Sequence, residues 1–179
     1  IDGLPREWIR RMKASMRETG KRFSCHRMLL EYAERYYLPG LEADTRLADG
    51  GFAATRALAT YLERVRRSWA GLRVEGLSSS SPSILKVGET ISVRAKVNLA
   101  GMSPDDVCVE LYHGAVSSQG EILQPRRLEM RPGGTEGAWT VYAADAPADA
   151  TGRQGYTLRV LPRHPALAHP FLPGLVKWG

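Results

Sequence analysis

The stretch 91–98, ISVRAKVN, decides the fold. Ile91, Val93, Ala95 and Val97 alternate with Ser92, Arg94, Lys96 and Asn98, the period of two that puts one face of a β-strand in a core and the other in water. The same rhythm returns downstream, where Val107, Val109 and Leu111 alternate with Cys108, Glu110 and Tyr112. Ala138 to Ala143 and Gly155 to Leu161 read as further strands, Ile122 to Met130 as one or two weaker ones, and Leu72, Val74 and Leu77 open the pattern. Turn residues separate these runs: the polar loop Ser78 to Ser83, the Ser103-Pro104-Asp105-Asp106 turn, and the stretch from Ala146 to Gly152. Short strands with turns between them predict an antiparallel β-sandwich over residues 72–179. The run Asp149 to Tyr156, followed by a strand, resembles the tyrosine corner of immunoglobulin-like domains, with Leu158 where antibody domains carry a disulfide cysteine. The tail, broken by His164-Pro165 and His169-Pro170, ends in a short apolar run with Trp178 that is expected to clip onto a sheet edge or the helices.

Upstream, residues 1–71 carry a helical period instead. Pro5 suits a first turn, Trp8, Met12 and Met16 make a stripe with Ile9, and Gly20 is the expected stop. Ser24 is a natural N-cap for a second helix in which Met28, Leu29, Tyr32, Ala33 and Tyr36 share the buried side. Pro39-Gly40 is expected to end it at Tyr37 or Leu38, and Leu41 to Gly51 to be loop, with Asp49-Gly50-Gly51 a turn or cap. From Phe52 a third helix aligns Leu58, Leu62, Val65 and Trp69. Burying those four side chains contributes about 6–12 kcal/mol before entropy is counted, against the other helices or the domain that follows. The reading is therefore α+β: a three-helix segment and then an immunoglobulin-like antiparallel β-sandwich.

An apolar fraction of 43% and a charged fraction of 25% belong to an ordinary globular protein. No apolar run approaches the roughly 20 residues that cross a bilayer, so no membrane partner is expected, and a chain that starts at Ile1 is expected to be a fragment or processed product. Cys25 and Cys108 are the only cysteines, too sparse for a disulfide framework, so a reducing cytoplasm is expected. Residues 1–71 hold 14 Lys and Arg against 9 Asp and Glu, and residues 72–179 hold 11 against 10. Arg10-Arg11, Lys21-Arg22, Arg64 and Arg66-Arg67 offer a basic surface for a polyanion, but Glu18, Glu31, Glu34 and Glu63 balance it, and the expectation is solvated helix faces without nucleic acid.

No catalytic set stands out. His26, His113, His164 and His169 lack metal-ligand spacing, and turn-and-cap roles suit the last two. Asp105-Asp106 fits a turn, Cys25 lacks a partner base, and Gly50-Gly51 and Gly133-Gly134 lack the setting of a phosphate loop. Catalytic, cofactor and metal residues are accordingly expected to be absent. Exposed aromatic rings stack on sugars, and Tyr112, Trp139, Tyr142 and Trp178 are the candidates, with Trp139 and Tyr142 on opposite faces of their strand.

The helical segment resembles the end of the catalytic region of α-glucan (glycogen, starch, maltodextrin) phosphorylases, on Trp8, Met12, Arg22-Phe23-Ser24, Arg27, Tyr32-Ala33 and Tyr36. Residues 72–179 resemble the additional C-terminal domain of the bacterial and archaeal branch, on Val87-Gly88-Glu89, Asp106-Val107, Val109 to Gly114, Gly155-Tyr156-Thr157, Arg159 to Pro162, His164-Pro165, and Pro170-Phe171 with Gly174-Leu175-Val176 before Trp178. The resemblance implies a parent enzyme that moves a terminal glucosyl unit from an α-1,4-glucan to phosphate, releasing glucose 1-phosphate, with pyridoxal phosphate held on a lysine. None of Lys13, Lys21, Lys86, Lys96 or Lys177 stands in the matching motif. The chain itself is then expected to be inactive and cofactor-free. It would be a structural or accessory module partnered by the upstream catalytic domain, with α-glucan and a second copy as further partners. A stand-alone carbohydrate-binding or protein-interaction sandwich is the alternative.

Overall fold

A computed structural model describes residues 3–79 and 84–179; the expected loop at Ser78 to Ser83 falls largely outside them, as does Ile1. The chain divides into two compact units, residues 1–54 and 55–179. In the first, α1 (Arg6–Arg22) starts after Pro5. Ser24 caps α2 (Cys25–Tyr32), its hydroxyl accepting from the Arg27 amide at 3.2 Å. α2 then runs through a π-helical turn, Ala33–Tyr37, into α3 (Leu38–Trp69).

The expected stop at Pro39-Gly40 is thus corrected, and with it the expectation of three separate helices, because the helical run from Cys25 to Trp69 is broken elsewhere. The π turn explains how a proline is passed. The Leu38 amide bonds back to the Ala33 carbonyl, one residue wider than an α turn, so Pro39 enters what is in effect a new first turn, where no amide is demanded of it. The break comes at Asp49 to Phe52, where Gly50, Gly51 and Phe52 take φ of 56°, 64° and 65°. The Asp49 carboxylate accepts from the Gly50 amide at 2.8 Å, and glycines carry the left-handed backbone without a Cβ penalty. The turn expected at Asp49-Gly50-Gly51 is there.

A second correction concerns burial in this unit. None of its described residues is buried. Trp8 is 61% exposed and Met16 65%, and Met28, Leu29, Tyr32 and Tyr36 are exposed as well. The amphipathic pattern made the helices, but within this unit no other element covers their apolar sides.

The second unit begins within α3, downstream of its break, and there the apolar stripe expected from Phe52 onward finds its core: Tyr61, Val65 and Trp69 are buried, with Leu58 and Leu62 packed against the same core. Eight strands follow: β1 (Arg73–Ser79), β2 (Thr90–Asn98), β3 (Val107–Val116), β4 (Ile122–Glu129), β5 (Arg131–Glu136), β6 (Trp139–Pro147), β7 (Gln154–Pro162) and β8 (Lys177–Trp178). They form two antiparallel sheets, ordered β1-β2-β6-β5 and β4-β3-β7-β8. Val93, Ala95 and Val97 of the first and Val109, Leu111, Leu158 and Val160 of the second meet in one core, as the alternation at 91–98 requires. β5, with Pro132, Gly133 and Gly134, was not foreseen; it is an edge strand with every residue exposed, where a missing amide and missing side chains are tolerated. β8 pairs with β7 at an edge of the other sheet, so the tail clips onto a sheet.

Inside this unit α3 is tied to the start of β3. Arg64 grips the Asp106 carboxylate with two nitrogens, Nη2 donating to Oδ1 at 2.7 Å, and the Tyr61 hydroxyl donates to the Asp106 carbonyl at 2.8 Å. The Ser103 amide donates to the same carboxylate at 2.7 Å, closing a capping box. Asp106 thereby pins the Ser103 turn to α3. The Arg64 guanidinium, with help from the Ser103 amide, holds its carboxyl below the usual carboxylate range.

Candidate functional site

Of the four aromatic candidates, Tyr112 and Trp178 meet. Both lie on the outer face of the β4-β3-β7-β8 sheet, because Tyr112 alternates with buried Leu111 on β3, and Trp178 stands opposite Arg159 on β7. Their rings are 5.2 Å apart, edge to face at 84°. Arg159 lies between them, its guanidinium carbon 5.2 Å from the Tyr112 ring centre and 5.5 Å from that of Trp178. Phe171 of the tail closes a third side at 5.3 Å. Arg159 is only 8% exposed, and its register partner Glu110 takes two hydrogen bonds from it, at 2.8 and 2.6 Å. A buried guanidinium is tolerated because it is both ion-paired and faced by aromatic rings.

Chemically, this cluster presents aromatic surface to solvent. Glu110 neutralises Arg159, so the outside world meets aromatic surface: Trp178 is 48% and Phe171 44% exposed. Exposed rings of this kind stack on the apolar faces of sugars. Phe171 was missed because its position depends on the path of an irregular tail; Arg159 was missed because only strand register puts it opposite Glu110.

The other two candidates do not join them. Tyr142 is corrected outright: it lies on the inward face of β6, 2% exposed, where no glucan could reach it. Burial pushes its phenol up to about 12. Trp139 is half-buried at the start of β6, in the other sheet, and as expected it lies on the face opposite Tyr142. The expected histidine roles are partly visible: His164 Nδ1 accepts from the Ala166 amide at 3.2 Å and its ring packs 4.8 Å from that of Tyr61. Among the described residues no group of three or more His, Cys, Asp or Glu is arranged to hold a metal. Cys25 is exposed and Cys108 half-buried, both as free thiols. The basic pairs are partly engaged: Arg10 and Arg11 both bond Glu7.

Pyridoxal phosphate needs a lysine in a sheltered site. Lys13, Lys21, Lys86 and Lys96 are exposed and Lys177 is half-buried on β8. None lines the cavity of about 460 Å³ at one end of the sandwich. The residues present do not fit that cofactor.

Comparison with known proteins gives a consistent result. The family described as the glycogen phosphorylase C-terminal domain matches residues 69–179. Glycogen phosphorylase of Mycobacterium bovis is 34% identical over 176 residues, 97% of this chain and 20% of that protein. Glycogen phosphorylase of Mycobacterium tuberculosis is 33% identical over the same shares. Maltodextrin phosphorylase of Thermococcus litoralis is 33% identical over 96% of this chain and 20% of its own length. The chain spans about a fifth of the relatives it matches. No helix among the described residues is long and apolar enough to cross a membrane.

Proposed function

Since the chain belongs to the glycogen phosphorylase C-terminal domain family, we propose that it is the C-terminal part of a cytoplasmic α-1,4-glucan phosphorylase and serves that enzyme as a non-catalytic module. The parent transfers a terminal glucosyl unit to inorganic phosphate and releases glucose 1-phosphate. Pyridoxal phosphate and the residues that use it belong to the part of the parent outside this chain. In this reading the helical unit docks on the catalytic body, and the sandwich is an accessory domain of immunoglobulin-like topology. The sheet orders β1-β2-β6-β5 and β4-β3-β7-β8 support that topology, since they follow the ABED and C′CFG arrangement.

One observation carries the proposal: an amphipathic helical unit without a buried described residue, in a chain that aligns with only a fifth of its relatives. Large apolar side chains such as Trp8, Met12 and Met16 are kept in such a pattern when something covers them. In the longer protein, Trp8→Ser with Met12→Ser is expected to reduce soluble, active phosphorylase severely. Unchanged yield and unchanged phosphorolysis would sink the docking role. The 179-residue chain, given maltoheptaose and phosphate, is expected to form no glucose 1-phosphate.

The Tyr112, Phe171 and Trp178 face supports a second reading, in which the sandwich contacts α-glucan. Calorimetry with maltoheptaose is then expected to show weak binding that Trp178→Ala removes; a flat titration would end this reading alone.

A further inference from the structure

The inward positions of β3 and β7 are apolar along most of their length and then change character at one end. Leu111 stands opposite Leu158, but the next inward pairs are His113 with Tyr156 and Ala115 with Gln154. Across from them the first sheet presents Ile91 opposite Ala146, and the small alanines leave the two sheets unfilled. The result is the cavity of about 460 Å³, within the range of small-molecule sites.

Its polar lining includes an unpaired donor. The Gln154 side-chain nitrogen is buried with no hydrogen-bond partner, and a buried donor without an acceptor is costly. Arg153, exposed, is among the lining residues. Burial, reinforced by nearby Arg126, moves the His113 imidazole below its ordinary range, so it lines the cavity neutral. No Asp or Glu is among the described lining residues. An exposed and a buried donor, an apolar wall of Ile91, Leu111 and Tyr156, and no competing carboxylate among them suit an acceptor-rich anion on an apolar body.

We propose that this end of the sandwich binds a small organic oxyanion, a carboxylate or a phosphate monoester, with the anionic group between Arg153 and Gln154 and its body against Ile91, Leu111 and Tyr156. The site is independent of the aromatic face around Arg159 and does not rest on the parent's chemistry. Charge-assisted contacts from an exposed side chain make Arg153 worth about a tenfold change in affinity.

The test uses the 179-residue chain with benzoate, phenyl phosphate and neutral benzyl alcohol, followed by saturation-transfer NMR and calorimetry. One or both anions are expected to bind, the alcohol at least tenfold more weakly, and the preferred anion identifies the head group. Arg153→Ala, a surface change that leaves the core alone, is expected to weaken the anion about tenfold. Ala146→Phe, checked for folding by its melting curve, is expected to abolish binding by filling the cavity. Absence of anion binding at millimolar concentration, equal binding of the alcohol, or Arg153→Ala binding like the parent would each overturn the proposal.

Discussion

Replacing Arg64 by alanine tests how α3 is fastened to the sandwich. Asp106 has a side chain 10% exposed, whereas that of Arg64 is 49% exposed. Removing Arg64 therefore leaves a carboxylate in a poorly hydrated place with one remaining donor, the Ser103 amide. Stripping a fully buried pair of one partner costs about 3–5 kcal/mol; the half-exposed guanidinium is screened by water, which discounts this to about 2 kcal/mol. A unit of this size shifts by about 4 °C per kcal/mol, so a fall of about 8 °C in Tm is expected. Asp106→Asn keeps an oxygen for Ser103 and frees Arg64 to swing into water, so it is expected to cost only about 1 kcal/mol. The double variant is expected to cost no more than Arg64→Ala, because the stranded charge is gone. The pH dependence has a definite sign. The folded pKa of Asp106 lies below its ordinary value of 3.8, so the pair contributes stability above that value and loses it as pH falls through the depressed folded pKa. Thermal melts followed by far-ultraviolet circular dichroism are expected to show the Arg64→Ala gap at neutral pH and its closure in strong acid. A variant melting within about 1 °C of the parent at neutral pH, or an equal gap in acid, would refute the reasoning.

Tyr142 has a buried hydroxyl without a hydrogen-bond partner, so Tyr142→Phe is expected to be neutral or stabilising by up to about 1 kcal/mol in urea unfolding; a loss of more than about 1 kcal/mol would show that the hydroxyl is satisfied. Arg159→Ala strands Glu110 and opens the ring cluster that holds β8, with an expected cost of about 3 kcal/mol and selective loss of hydrogen-exchange protection at the Gly179 amide, which bonds the Leu158 carbonyl. Gly114 and Gly155 face each other across β3 and β7. A Cβ at Gly114 would come within 2.8 Å of the Leu123 carbonyl oxygen, and one at Gly155 within 2.5 Å of a Val116 methyl. Both alanine variants are expected to lose about 1–3 kcal/mol, Gly114→Ala the more, because a side chain yields and a backbone carbonyl does not; the reverse order would contradict this.

What was legible in the sequence was whatever depends on local period. The alternation at 91–98 and 107–111 located two central strands and their inward faces, since a one-residue slip would have turned Val93 and Leu111 out to water. The third helix was legible for the same reason. Two kinds of feature were not. The stop at Pro39 failed because a π turn over Ala33–Tyr37 resets the hydrogen-bond count, and no side chain announces that. Partners set by register were hidden too: Arg159 with Glu110, and Tyr61 and Arg64 with Asp106, join residues far apart in sequence. Residue type alone makes Tyr142 a candidate for sugar stacking, and the opposite faces of Trp139 and Tyr142 leave open which of the two turns inward; the parity of the neighbouring strands decides it.

The same distinction separates the two units. Each buried apolar side chain found in the described residues lies at Tyr61 or beyond, so residues 55–179 contain a complete core: two sheets closed by the last turns of α3. The described residues of the first unit, 3–54, have the period of a packed helical unit and none of its burial. Amphipathic helices without a covered face draw little stability from their own propensity, so their order depends on whatever surface completes them. If the catalytic body supplies that surface, the two units should respond differently when it is removed. In the isolated chain, hydrogen exchange along residues 6–48 is expected to be fast while β2, β3, β6 and β7 stay protected, and in the longer protein both are expected to be slow. Equal protection of both regions in the isolated chain would mean that the helical unit finds its cover without the rest of the enzyme.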